Sequence, residues 1–154
     1  MSKFLKRHSL KGKPRNTTSA GFQPKNQRYT DVDIRGKTVW ITGGKRIGQE
    51  IAAALAELGA DLVISYRTSE KEAREVVERV RQSGRKVFVI QCDVSNRESA
   101  RSAVEQVKKE FDKLDILVLL ASIFKPVKLE DIKNEDWDSN VSTHIKGTFW
   151  PVQL

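Results

Sequence analysis

Residues 38–52 read TVWITGGKRIGQEIA. A short apolar run, Val39–Ile41, meets the pair Gly43-Gly44, and Lys45 and Arg46 follow. Beyond Ile47-Gly48 the apolar residues Ile47, Ile51, Leu55 and Leu58 recur at helical spacing. The order is therefore strand, glycine turn, helix. A helix start leaves backbone N–H groups without partners and carries a partial positive charge. Glycines let the backbone approach an anion with no Cβ in the way, so the junction suits the phosphates of a dinucleotide. Gly43 and Gly48 are spaced like the first and last glycines of G-x-G-x-x-G, with Lys45 at the middle position. A Walker-type phosphate loop is excluded, because no Gly-Lys-Ser/Thr follows at the required spacing. A tight turn without a ligand is the competing reading.

Outward from this junction the alternation repeats. Gly59 follows the first helix as a C-terminal glycine. Leu62–Tyr66 reads as a second strand. Ser69 with Glu72 reads as a capping box, opening a helix with Ala73, Val76, Val77 and Val80 on one face, and Gly84 closes it. Val87–Ile90 is a third strand. Ser95 with Glu98 is a second capping box, before a stripe of Ala100, Val104, Val107 and Phe111. Ile116–Leu120 is a fourth, wholly apolar strand. A further helix is expected near Trp137–Phe149, with Val141, Ile145 and Phe149 on one side, and Pro151 is expected to disturb its continuation. Continuous apolar strands are those covered on both faces. The order β-α-β-α-β-α-β implies an α/β fold with a doubly wound parallel sheet of Rossmann type and right-handed crossovers.

The end of the second strand bears on which dinucleotide would bind. An NAD site usually carries Asp or Glu there, for the ribose 2′-hydroxyl. This chain has Tyr66-Arg67-Thr68-Ser69. An arginine beside hydroxyls suits a 2′-phosphate, and Lys45 and Arg46 add to the same anionic site. NADP (NADPH) is therefore favoured over NAD; the competing reading makes Arg67 a solvated loop residue.

Composition bounds the remaining possibilities. A chain of 154 residues is about one domain. Its 38% apolar and 31% charged content is that of a soluble globular protein. No apolar run approaches the ~20 residues of a membrane span. The single Cys92 excludes an internal disulfide and reads as a small buried residue; His8 and His144 leave little for a zinc site, so no metal is expected. The net charge of +8 belongs to one end. Residues 1–30 hold eight of the 28 basic residues and no acidic one, and the other 20 are balanced by 20 acidic residues. Residues 1–32 are therefore expected to be a basic, mostly disordered tail, with an organelle-targeting or polyanion-binding arm as the alternatives. Residues 33–154 are expected to form the dinucleotide-binding domain, in a cytoplasmic protein.

Several stretches taken together carry a resemblance. They are IRGKTVWITGGKRIG at 34–48, YRTS at 66–69, CDVS at 92–95, LDILVLLAS at 114–122 and WDSNVSTHIKGTF at 137–149. In these the chain resembles the short-chain dehydrogenase/reductase family over residues 34–149. Lys45-Arg46-Ile47-Gly48 and Ala121-Ser122-Ile123-Phe124 are similar to its pteridine-reductase-like branch. The resemblance implies that Gly43, Lys45, Arg46, Ile47 and Gly48 form a pyrophosphate turn. It implies that Tyr66, Arg67 and Thr68 meet the adenosine ribose and its 2′-phosphate, that Asp93 and Val94 edge the adenine, and that Ala121 and Ser122 pass beside the nicotinamide ribose. The implied activity is hydride transfer from NADPH to a carbonyl or pterin-like substrate. The implied partners are the cofactor, an unidentified small-molecule substrate and a second copy of the chain; nucleic acid is not expected.

Four departures stand beside the resemblance. The glycine loop is one residue shorter than the family's. Leu119 and Leu120 replace two asparagines after the fourth strand, and leucine offers no amide. His144 stands where the family has an asparagine. The family's chemistry also needs a serine and a tyrosine with lysine four residues on, yet this chain has only Tyr29 and Tyr66, neither followed so. The sequence therefore assigns no catalytic residue, and the fold is expected to be incomplete at the C-terminus. A truncated nucleotide-binding remnant without turnover and a scaffold with a polyanion-binding tail are the alternatives to the reductase.

Overall fold

Val39, Trp40 and Ile41 lose essentially all solvent contact in strand β1 (Thr38–Thr42) because that strand lies inside the sheet. A computed structural model describes residues 32–43 and 45–154 of the chain, so the basic tail expected over residues 1–32 lies, up to residue 31, outside the described residues. β1 pairs in parallel with β2 (Asp61–Tyr66) on one side and β4 (Ile116–Leu119) on the other, and β3 (Val87–Gln91) pairs with β2. The order is β3-β2-β1-β4. Trp40 stands level with Val63 and Leu117 across this register.

Side chains alternate between the two faces of a strand, and two helical layers cover them. Val39, Ile41, Leu62 and Ile64 pack with Ala52 and Ala56 of α1 (Ile47–Glu57) and with Ala73, Val76 and Val80 of α2 (Glu70–Gln82). Trp40, Val63 and Ile90 pack on the opposite face with Ala100, Ala103 and Val107 of α3 (Arg97–Glu110) and with Phe111 just beyond it. The Trp40 indole N–H donates to the Ser65 hydroxyl at 3.1 Å, which satisfies its one polar atom in the core. The doubly wound parallel sheet expected from the sequence is present. The two-sided cover is complete only for β1 and the middle of β2. β3 and β4 are edge strands among the described residues, and most of their side chains are half-buried.

Several local expectations are corrected. In α1 the fully buried residues are Gly48, Ala52, Ala53 and Ala56, whereas Ile47 is 69% exposed and Leu58 60%. Small side chains bring this helix close to the sheet; Ile51 and Leu55 of the expected stripe still pack half-buried against the core, and only its two ends, Ile47 and Leu58, point outward. Ser69 occupies the N-cap of α2 without a side-chain capping bond; Glu72 reaches Lys45 instead, at 3.1 Å. The cap of α3 is Asn96, whose side chain accepts the Ser99 N–H at 2.9 Å. Ser95, the expected cap, turns back on Asp93 through its N–H and hydroxyl, at 3.0 and 2.6 Å. Gly59 and Gly84 do follow α1 and α2 in the left-handed conformation.

The last helical stretch differs most. It runs as α4 (Asn134–Val141), a π turn (Ser142–Lys146) and α5 (Gly147–Gln153). Pro151 does not end it: Pro151 is buried inside α5 and lines one cavity with Trp40 and Phe111. The extra residue of the π turn shifts the helical phase. Thr143, Gly147 and Pro151 therefore face inward, with Trp150 and Leu154 against the α3 layer, while Ile145 is 64% and Phe149 51% exposed. Among the described residues no helix is long and apolar enough to cross a membrane.

Candidate functional site

The C-terminal ends of the four strands open onto a cleft of about 500 Å³. Ligands of open α/β sheets bind at this end. All twelve residues singled out from the sequence line it: Gly43, Lys45, Arg46, Ile47, Gly48, Tyr66, Arg67, Thr68, Asp93, Val94, Ala121 and Ser122.

The loop after β1 is packed backbone against backbone. The Gly43 N–H donates to the Ser65 carbonyl at 2.9 Å. Gly43 has φ +95, and a Cβ on it would lie 3.0 Å from the Leu120 carbonyl oxygen. A Cβ on Gly48 would collide with the Gly43 carbonyl. Arg46 is the N-cap of α1, with φ +46 and no capping side-chain bond. The N–H groups of Gly48 and Gln49 donate to the carbonyls of Lys45 and Arg46, at 2.9 and 3.0 Å. Those of Lys45, Arg46 and Ile47 have no partner among the described residues. Three consecutive free N–H groups at a helix start suit an anion.

The charges divide unevenly. Lys45 is held by Glu72. The Glu72 carboxyl lies below the ordinary carboxylate value, first through its own backbone N–H and then through Lys45. Arg46 and Arg67 are exposed and form no ion pair among the described residues. Gln91 anchors the turn after β2 by donating to the Arg67 carbonyl at 3.0 Å. The cleft thus presents two guanidinium groups without an ion pair among the described residues and one ammonium held by Glu72.

The opposite wall comes from β3, β4 and the helix beneath. The Thr42 hydroxyl accepts the N–H groups of Leu120 and Ala121, at 3.1 and 3.3 Å. This bond fixes the segment whose leucines carry no amide of their own. Asp93 is held by Ser95 and by its own N–H, which donates to the Ser99 hydroxyl at 2.9 Å. Cys92 lines the cleft but is 3% exposed, and burial pushes its thiol up to about 11. It is protonated at neutral pH and suited to packing rather than attack.

Thr143 also lines the cleft and was not singled out from the sequence. Its signal was phase: Thr143, Gly147 and Pro151 repeat every four residues, and the larger residues beside them masked this. A side chain on Gly147 would lie 2.7 Å from Val94 Cγ2, so the helix sits directly against the loop after β3. His144 lies outside the cleft, exposed, with Nδ1 3.0 Å from the Asn140 carbonyl oxygen. Among the described residues no group of three or more His, Cys, Asp or Glu side chains could hold a metal ion.

A family model described as short chain dehydrogenase matches residues 37–154. The 3-oxoacyl-(acyl-carrier-protein) reductases of Staphylococcus aureus (strain Mu50 / ATCC 700699) and Staphylococcus epidermidis (strain ATCC 12228 / FDA PCI 1200) are each 34% identical over 118 residues. These matches cover 76% of this chain and 48% of theirs, so the chain spans about half the length of the curated relatives it matches. A short chain dehydrogenase from Burkholderia cenocepacia J2315, solved in complex with NADP, is 36% identical, with a TM-score of 0.74 over 79% of this chain and 50% of that one. The short-chain dehydrogenase/reductase from Serratia marcescens BCRC 10948 is 31% identical, with a TM-score of 0.73 over the same shares.

Proposed function

Since the chain belongs to the short-chain dehydrogenase family, we propose that its cleft binds a nicotinamide dinucleotide, NADP in preference to NAD, for hydride transfer to a carbonyl. The observation that carries this reading is the pairing of Arg46 and Arg67, free of ion pairs among the described residues, with three free N–H groups at the start of α1. Two phosphate-bearing groups need two such sites. The N–H groups of Lys45, Arg46 and Ile47, in the turn closed by Gly43 and Gly48, bind the pyrophosphate. Tyr66, Arg67 and Thr68 take the ribose 2′-phosphate, which a guanidinium grips through paired N–H donors. Lys45 contributes its N–H, because its ammonium is already held by Glu72. Asp93 and Val94 edge the adenine, and Ala121 and Ser122 border the nicotinamide ribose.

When bound, the cofactor supplies the hydride, and the chain's own residues orient it and exclude water. The relatives named 3-oxoacyl reductases favour a carbonyl over a pterin-like substrate. Tyr29 and Tyr66 both lack a lysine four residues on, so proton donation is assigned to no residue in this chain. That observation favours a second reading for these 154 residues taken alone: cofactor binding without turnover.

Fluorescence titration of the chain with NADPH and NADH tests the reading. NADPH should bind at least about tenfold more tightly than NADH, as charge-assisted bonds to one phosphate allow. Adenosine 2′,5′-bisphosphate should compete. Equal affinity for both would remove the 2′-phosphate assignment, and absence of binding would remove the dinucleotide reading. Reduction of a ketone by the NADPH-loaded chain would overturn binding without turnover.

A further inference from the structure

We propose that the Thr143 hydroxyl is a direct contact for the bound dinucleotide, made to one of its ribose hydroxyls. The inference rests on the reading of the cleft as a dinucleotide site. Thr143 is 7% exposed, yet it lines the cleft. Its hydroxyl has no hydrogen-bond partner among the described residues. Neighbouring polar side chains on the same helical stretch satisfy themselves on their own backbone. Ser139 donates to the Glu135 carbonyl at 2.6 Å, Asn140 to Asp136 at 2.8 Å and Thr148 to His144 at 2.7 Å. Thr143 makes no such bond, although a helical threonine can reach the carbonyl four residues back.

Two features of the chain hold it there. The π turn at Ser142–Lys146 sets the phase that brings position 143 inward, and Gly147, one turn on, lets the helix lie against Val94. Val94, Ala121, Ile123 and Phe124 line the same cleft and offer no side-chain hydrogen-bonding group. Among the described residues Arg85 Nε is the one fully buried side-chain polar atom without a partner, so the Thr143 hydroxyl is open to the cleft, and what fills the cleft is placed to become its partner. Threonine can donate and accept, as can a ribose hydroxyl. Val94 and Ala121 border the adenine and nicotinamide-ribose ends in the assignment above, which leaves the sugar–phosphate stretch between them for Thr143.

The test compares Thr143→Val, which keeps the shape and removes the hydroxyl, with Thr143→Ser, which keeps the hydroxyl. NADPH affinity is read by fluorescence titration and stability by thermal melting. Thr143→Val should weaken NADPH binding about three- to tenfold, the worth of one neutral hydrogen bond. It should melt near the wild-type temperature, because valine keeps the shape and the hydroxyl has no partner to lose among the described residues. Thr143→Ser should bind within about twofold of wild type. NADPH binding unchanged by Thr143→Val would overturn the inference and assign the hydroxyl to water. Equal losses in the two variants, or a lower melting temperature for Thr143→Val, would overturn it in favour of a packing role. If the wild-type chain binds neither NADPH nor NADH, the dinucleotide reading itself fails and this inference with it.

Discussion

The carbonyl oxygen of Gly43 occupies the volume that a side chain on Gly48 would need. These are the two glycines whose spacing suggested a phosphate turn, and they touch each other. Gly43 in turn lies against the backbone of Leu120 and Ala121. The turn is thus wedged between α1 and the end of β4, with no flexible side chain that could give way. Gly48→Ala should therefore cost about 2–3 kcal/mol of stability, the upper range for overpacking. Gly36→Ala is the comparison: Gly36 has φ +69 and open space around its Cβ position, so only the left-handed conformation is penalised, by about 1 kcal/mol. Urea unfolding of both variants measures the difference. Equal losses would mean that the turn is not wedged.

Arg67 and Lys45 both line the cleft, but only Lys45 has an ion-pair partner among the described residues. Arg67→Ala should weaken NADPH about ten- to hundredfold, as loss of charge-assisted bonds to a phosphate does, and leave NADH within about twofold. Lys45→Ala should change NADPH affinity by less than Arg67→Ala, because the ammonium is engaged elsewhere. Titration of both variants with both cofactors settles the order. A larger effect at Lys45, or an equal loss of NADH at Arg67, would contradict the proposed division of labour.

The sequence is a good guide where one interaction dominates. Val39–Ile41 and Leu62–Ile64 are continuous apolar runs because both their faces are covered, and both form strands. The twelve residues came from the glycine junction, the end of β2 and the family resemblance, and they line one cleft because strand ends converge in a parallel sheet. Where several small terms compete, the sequence misleads. Of the pattern Ile47–Ile51–Leu55–Leu58, Ile51 and Leu55 do pack half-buried against the core, but the fully buried positions are the adjacent alanines, and Ile47 and Leu58 are exposed. Ser69 matched a capping box, but its side chain makes no capping bond and Glu72 pairs with Lys45. Thr143 escaped notice because the larger Ile145 and Phe149 masked the four-residue repeat of Thr143, Gly147 and Pro151, and no residue type announces the π turn that carries the first of them.

At the other end of the sheet, Asp115 accepts the Thr38 N–H at 2.9 Å and lies 3.1 Å from the Lys113 ammonium and 3.5 Å from that of Lys37. The Thr38 N–H first, then Lys113 and Lys37, hold its carboxyl below the ordinary value of 3.8. A lowered folded value means that the unfolded chain takes up the proton first as pH falls. The stabilisation is complete above the unfolded value and is lost as pH drops below it towards the folded one. Asp115→Asn should therefore be less stable than wild type at pH 7, and the gap should narrow below about pH 4. Unfolding midpoints measured from pH 7 to pH 3 test this. A gap independent of pH would mean that the carboxylate's charge contributes nothing at this site.

Arg46 has φ +46 and ψ −106, a conformation that glycine adopts freely and a side chain resists. Such a residue costs about 1–3 kcal/mol, and replacement by glycine returns this less about 0.5–1 kcal/mol of added chain entropy. Arg46→Gly should gain about 1 kcal/mol and raise the melting temperature by a few degrees. The same change removes a guanidinium from the cleft, so NADPH should bind several-fold more weakly. Arg46→Ala separates the two effects: the charge goes but the strain stays, so binding should fall with no gain in stability. If both variants melt at the same temperature, the strain at position 46 is absent in solution. If neither weakens NADPH, the guanidinium faces away from the cofactor, and the three N–H groups at the start of α1 bind the pyrophosphate without it.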